Sequence, residues 1–126
     1  MNEKFKYHFE NKRRILYKHY FGEITIEDIQ TSWDNAKEQN LIPDGTMRFL
    51  LDYREATFKM DYREYPKIVE YYRNNMEIFR NSKIAVLTQS EKDIIIPTLV
   101  EVKDFGYKSK PFYTEKAAVY WLLQES

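Results

Sequence analysis

Met47-Arg48-Phe49-Leu50-Leu51-Asp52-Tyr53, followed by Arg54 and Glu55, is a short apolar run that ends abruptly in an acid. A run of this length and apolarity predicts a central strand, about Met47 to Tyr53, covered on both faces and delivering Asp52 to the rim of a sheet. Such rims are where open α/β sheets usually hold their binding groups. The sequence has no Gly-rich phosphate loop, no cluster of metal-ligand residues and no nucleophile with a base beside it.

Upstream, Phe5, Tyr7 and Phe9 alternate with Lys6, His8 and Glu10, the period of a strand with one wet face. A second strand spans about Arg14 to Phe21, with Ile15, Tyr17, His19 and Phe21 on its apolar side. Making the two apolar faces coincide calls for a three-residue turn, Asn11-Lys12-Arg13. It sets Phe9 opposite Ile15 and Tyr7 opposite Tyr17. This register puts His8 and His19 on opposite faces and makes His19 a packed core histidine. Gly22 is expected to end the strand. Thr25 is expected to cap a first helix, with Glu27 and Asp28 at its positive end and Ile26, Ile29, Trp33 and Ala36 on one face.

Downstream, a connector from Glu55 to Asp61 leads to a second amphipathic helix. Its inner stripe is Tyr65, Val69, Tyr72, Met76 and Phe79, with Pro66 in the first turn. Lys83 to Gln89 reads as another buried strand. Asp93 to Ile96 cap or open a third helix with Pro97 in its first turn; Leu99, Val102 and Phe105 continue its apolar stripe and Gly106 closes it. Pro111 to Tyr113 reads as a short edge strand. Thr114 caps a last helix with Ala117, Ala118, Trp121 and Leu122 inside. Trp33 and Trp121 are both expected in the core. The order β-β-α-β-α-β-α-β-α predicts an α/β fold in one domain, residues 1–126. A single-layer mixed sheet, an opening antiparallel hairpin with later strands parallel, is packed with about four helices.

Composition narrows the function. Lys plus Arg number 20 and so do Asp plus Glu, for a formal net charge of zero. A nucleic-acid partner is therefore not expected, since phosphate contacts call for a basic excess. Lys12-Arg13-Arg14, the one short basic run, is explained by a solvated turn. Without cysteine there is neither thiol catalysis nor a disulfide framework. No apolar run approaches the roughly 20 residues of a membrane span, and Met1 to Phe5 carry no apolar signal segment, so a cytoplasmic location is expected. No cofactor or metal is expected. A net charge near zero is compatible with a homodimer.

Four stretches together resemble the SpoIIAA-like branch of the STAS superfamily, related in shape to the Sec14-type lipid-binding fold. Tyr20-Phe21-Gly22-Glu23-Ile24-Thr25 resembles that family's approach to its first helix. Leu50-Leu51-Asp52-Tyr53 resembles its Leu-Asp strand end, and Lys83-Ile84-Ala85-Val86-Leu87 its next strand. Phe112, Glu115, Ala118 and Trp121-Leu122 resemble its closing signature. The likeness covers nearly the whole chain. It implies a non-catalytic module that binds a protein or a small apolar ligand. Classical anti-sigma-factor antagonists carry a phosphorylated serine after an Asp that follows the Leu-Asp strand. Here Met60-Asp61-Tyr62-Arg63-Glu64 keeps the Asp without a serine or threonine, so the phosphorylation switch is not expected.

Two classes of function remain. An interaction module, regulatory in kind, would dock a protein partner or a second copy through Arg54, Asp61, Tyr62, Arg63 and Tyr71. A carrier or sensor of an apolar small molecule or lipid would line a helix–sheet cavity with Phe58, Tyr65, Tyr72 and Met76. The strand-end rim, Asp52, Arg54, Thr88, Ser90 and Thr114, could hold an anion or a peptide, or serve only as caps. The acids Asp52, Glu55, Asp61 and Glu64 read most simply as caps and solvated charges. An enzyme is the class with least support, since no activated nucleophile or acid/base pair can be named.

Overall fold

The computed structural model describes residues 4–89, 94–99, 101 and 106–124. Five strands form one sheet: β1 (Phe5–Glu10), β2 (Ile15–Ile24), β3 (Arg48–Phe58), β4 (Lys83–Leu87) and β5 (Lys108–Phe112). Their spatial order is their sequence order. β1 runs antiparallel to β2 and every later pair is parallel. The helices are α1 (Ile26–Glu38), α2 (Tyr65–Arg73), α3 (Met76–Phe79), α4 (Ile95–Leu99) and α5 (Glu115–Leu123), with a 3-10 turn at Tyr62–Glu64.

Strand order explains the layering. Three crossovers step across the sheet in one direction, and right-handed crossovers of that kind place their helices on one face. Ile29 and Trp33 of α1, Ile68 and Tyr72 of α2, Phe79 of α3 and Ile96 of α4 accordingly share one core with Leu16, Tyr20, Phe49, Leu51, Ile84 and Val86. α5 follows the last strand and packs on the opposite face, where Ala118 and Leu122 meet Ile15, Tyr17, Leu50, Ala85 and Leu87. The sheet never reverses its winding, so it has no topological switch point of the kind that makes a ligand crevice.

β2 departs from expectation. Phe9 stands opposite Leu16 and Tyr7 opposite Lys18, not opposite Ile15 and Tyr17. The turn has four residues, 11–14, with Arg14 at φ 54°. Lys18 made its face look wet, but β2 is buried on both faces, and Phe5 and Phe9 pack with Leu16 and Tyr20 on the main core. His8 and His19 consequently share a face, not opposite ones. His19 is half-buried on the α5 side and is not a core residue. The strand also runs through Gly22, at φ +79°, to Ile24. Thr25 caps α1 as expected, in a capping box with Asp28.

β3 extends past Tyr53 to Phe58, so the expected connector is largely strand. One extra residue enters β3 between Asp52 and Glu55, against the step from His19 to Phe21. This bulge changes parity. Phe49, Leu51 and Tyr53 face the main core before it, Ala56 and Phe58 after it. The second helix breaks at Asn74 and Asn75 into α2 and α3, and its most buried residues are Ile68, Tyr72 and Phe79, while Tyr65, Val69 and Met76 stay partly exposed. Pro66 does lie in the first turn of α2. β5 is an edge strand that includes Pro111, as Pro's missing donor requires. Of the third helix, Ile95–Leu99 is helical; Asp93, Val102 and Phe105 lie outside the described residues.

The main core is aromatic. Trp33, fully buried, meets Phe49, Phe79 and Tyr72 edge-on at ring-centroid distances of 5.4, 4.8 and 6.1 Å. Trp121 is only half-buried, against Phe112. Trp33→Ala is expected to cost about 3–5 kcal/mol in urea unfolding and Trp121→Ala less than half of that. Equal losses would contradict this placement of the core.

Candidate functional site

Asp52 lies mid-strand in β3, level with Leu87 and Phe112, the last residues of β4 and β5, and its carboxylate is crowded with donors. Oδ1 accepts from Arg54 N and Nε, both at 3.0 Å, and Oδ2 accepts from Arg54 Nη2 at 2.8 Å. His19 Nδ1 lies 3.3 Å from Oδ2. Burial pushes the Asp52 carboxyl up, but the Arg54 hydrogen bonds and charge, with His19 beside them, hold it below its ordinary value. Arg54 Nη2 continues 3.4 Å to Glu115, the first residue of α5. Thr114 caps that helix, accepting from Ala117 N at 3.2 Å. At the other end, Lys83 Nζ donates to Trp121 O (3.0 Å) and Gln124 O (2.5 Å), satisfying carbonyls that a helix end leaves open. α5 is thus tied to the sheet at both ends.

Of the expected rim, Asp52, Arg54 and Thr114 gather at this end of α5. Thr88 is fully buried, with its N–H donating to Phe112 O at 3.0 Å. Ser90 lies outside the described residues. The five expected docking residues do not form one patch. Arg54 belongs to the α5 face. Asp61 caps the 3-10 turn before α2, on the other face, and pairs with Arg63, whose side chain and backbone hydrogen bonds hold it at about 2. Tyr62 projects from the same turn. Tyr71 spends its hydroxyl on Asp34 Oδ1, at 2.6 Å, tying α2 to α1; burial and that contact push its pKa up.

A cavity of about 20 Å³ does lie between helices and sheet, lined by Ile29, Tyr53, Phe58, Tyr72, Ile96 and Ser109 among others. It has room for roughly one water. Tyr65 and Met76 do not line it; Met76 instead lies against Gly106, where a Cβ would meet Met76 Cε at 2.7 Å.

α5 carries a feature that the sequence reading passed over. Residues 117–123 are apolar without interruption. Only Ala118 and Leu122 are buried, while Tyr120 is 69% exposed and Leu123 and neighbouring Tyr113 also face outward. The signal was in plain view, since seven consecutive apolar residues exceed what one buried helix face can use. On the same side of the sheet, α5 packs chiefly on β3, β4 and β5, with Ile15 and Tyr17 of β2 in the same apolar cluster. There His8, Tyr17 and His19 form a row of rings at 6.0 and 6.2 Å. No set of three or more acids or histidines among the described residues is placed to hold a metal, and no helix there is long and apolar enough to cross a membrane.

The Asp52 carboxyl, lower in the folded than the unfolded chain, contributes stability above its unfolded value that is lost as pH falls through the folded one. Asp52→Asn is therefore expected to lower the urea midpoint at pH 7 and to narrow its difference from pH 3. An unchanged difference would mean that Asp52 has no part in acid unfolding.

No protein-family model matches the chain, and no curated protein matches it significantly. Among solved structures it is similar to an uncharacterized protein of the DUF3478 family from Shewanella loihica PV-4, described as having a SpoIIAA-like fold. The TM-score is 0.59 and the identity 16%, over 94% of this chain and 91% of the other. An antiparallel hairpin leading into a parallel sheet, with crossover helices on one face and a closing helix on the other, is here the SpoIIAA-like fold.

Proposed function

We propose that the chain is a non-enzymatic, STAS-like interaction module of a regulatory kind that docks a second copy of itself through the outer face of α5. One observation carries this reading: residues 117–123 of α5 are apolar without a break, yet only Ala118 and Leu122 are buried on the sheet, with Val119 and Trp121 partly buried beside them, and Tyr120 and Leu123 face outward. A helix of that composition is normally covered on every side. Tyr120, with Leu123 and Tyr113, supplies the aromatic and aliphatic anchors on which interfaces concentrate their energy. A second copy is the occupant that charge favours, because a formal net charge of zero leaves no net repulsion between copies. The ties from Arg54 and Lys83 support the reading by presenting α5 as a rigid platform. The phosphorylation switch is no part of it, since Asp61 is followed by Tyr62. The carrier reading gains little from a cavity with room for roughly one water.

Sedimentation equilibrium over a roughly hundredfold concentration range tests the proposal. The native chain is expected to dimerise. Tyr120→Glu is expected to be a monomer whose stability changes by no more than about 0.5 kcal/mol, as for an exposed substitution. A native chain that stays monomeric throughout, or a variant that dimerises as well as the native chain, would overturn docking through α5.

A further inference from the structure

Lys18 is fully buried on the main core face. Its Nζ donates to Ser32 Oγ at 2.8 Å and sits 3.3 Å from the centre of the Trp33 ring. Ser32 gives its own proton to Ile29 O, so Tyr20, 3.0 Å away, donates to the same Oγ. Tyr7 of β1 closes the chamber; its hydroxyl donates to Ser32 O at 2.7 Å and its ring lies 5.9 Å from Nζ. The groups facing the amine are therefore Tyr7 from β1, Tyr20 from β2, and Ser32 and Trp33 from α1. None is charged near neutral pH, since burial raises Tyr7 to about 12 and Tyr20 higher still. No carboxylate among the described residues pairs with Lys18, and burial alone pulls its pKa well below the usual value of 10.5.

Tyr7 also stands directly across the ladder from Lys18. The bond from Phe21 N to Lys4 O makes residues 4 and 21 a hydrogen-bonded pair. By alternation, Tyr7–Lys18 is a close, non-hydrogen-bonded pair. β1 is an edge strand, paired on one side only.

We propose that Lys18 is a proton-operated latch for β1: the amine is uncharged while β1 is closed over it and takes up a proton when Tyr7 and β1 lift away. A charged ammonium in the closed chamber would be cut off from bulk solvent with no carboxylate beside it among the described residues, the costly way to bury a charge. Release of β1 would uncover the edge of β2 together with the Trp33–Tyr20 wall, and so join protonation to exposure of a strand edge. The sign follows from linkage. Between the depressed value of the closed form and the ordinary value of the open form, the open form holds one more proton. Each pH unit of acidification there multiplies the open fraction by up to about tenfold. Below the depressed value both forms are protonated and the dependence ends.

Amide hydrogen exchange of the full chain from about pH 6 to 10, corrected for intrinsic rates, tests the latch across the range where lysine-type groups and their depressed values fall. Protection of β1 is expected to rise with pH by up to about tenfold per unit over part of this range. Lys18→Met, which keeps the volume and removes the titration, should abolish that rise. Tyr7→Phe, which drops the bond to Ser32 and leaves the amine, should lower β1 protection and keep the rise. Flat β1 protection in the native chain would overturn the proposal. So would a rise that survives in Lys18→Met or is lost in Tyr7→Phe, or β1 exchanging no faster than β4, which would mean that β1 opens only when the whole fold does.

Discussion

Three successive crossovers to parallel strands, all stepping the same way across the sheet, are the constraint from which the rest of this structure follows. Their common handedness sends α1 to α4 to one face and leaves the other to the single helix that comes after β5. One side is therefore a thick aromatic core built around Trp33 and Phe79. The other is a thin layer in which α5 packs chiefly on β3 to β5, with Ile15 and Tyr17 of β2 in the same cluster. A long ladder joins β2 and β3, and its bulge after Asp52 redirects the last residues of β3 so that Ala56 and Phe58 still face the main core.

Asp52 and Lys18, both titratable and both buried in the sheet, are accommodated in opposite ways. Asp52 is surrounded by the Arg54 guanidinium, a backbone N–H and His19, so its charge is compensated where it stands. The same arginine reaches Glu115, and a residue that reads as a strand-end acid becomes part of the tie that orients α5. Lys18 has no opposite charge beside it among the described residues. Its partners are Ser32 Oγ, which also accepts from Tyr20 and donates to Ile29 O, and the face of the Trp33 indole, which attracts a cation but supplies no counter-charge to offset the burial.

At 16% identity to a structure that covers almost the same length, what the two chains share is the fold. A fold held in common in this way leaves function to the exposed features of each chain. In this one the exposed features include the outward side of α5 around Tyr120, the Asp61–Arg63 turn with Tyr62, and His8 and His19 on either side of the buried Tyr17 ring.

The sequence by itself determined the alternation of strands and helices, the Thr25 and Thr114 caps, the edge character of the Pro111 strand and the hairpin-then-parallel sheet, because these depend on local periodicity and on what Thr and Pro can do for nearby backbone groups. Tertiary structure decided the rest. A strand buried on both faces has no wet side to set its register, so Lys18 misled the reading of the hairpin and of which face His19 takes. Nothing local announced that β3 would run on to Phe58, since pairing with the far end of β2 holds it extended. Nor could spacing show that Arg54 and Arg63 lie on different faces, or that Tyr71 is already engaged by Asp34; such facts depend on which distant segments the crossovers bring together.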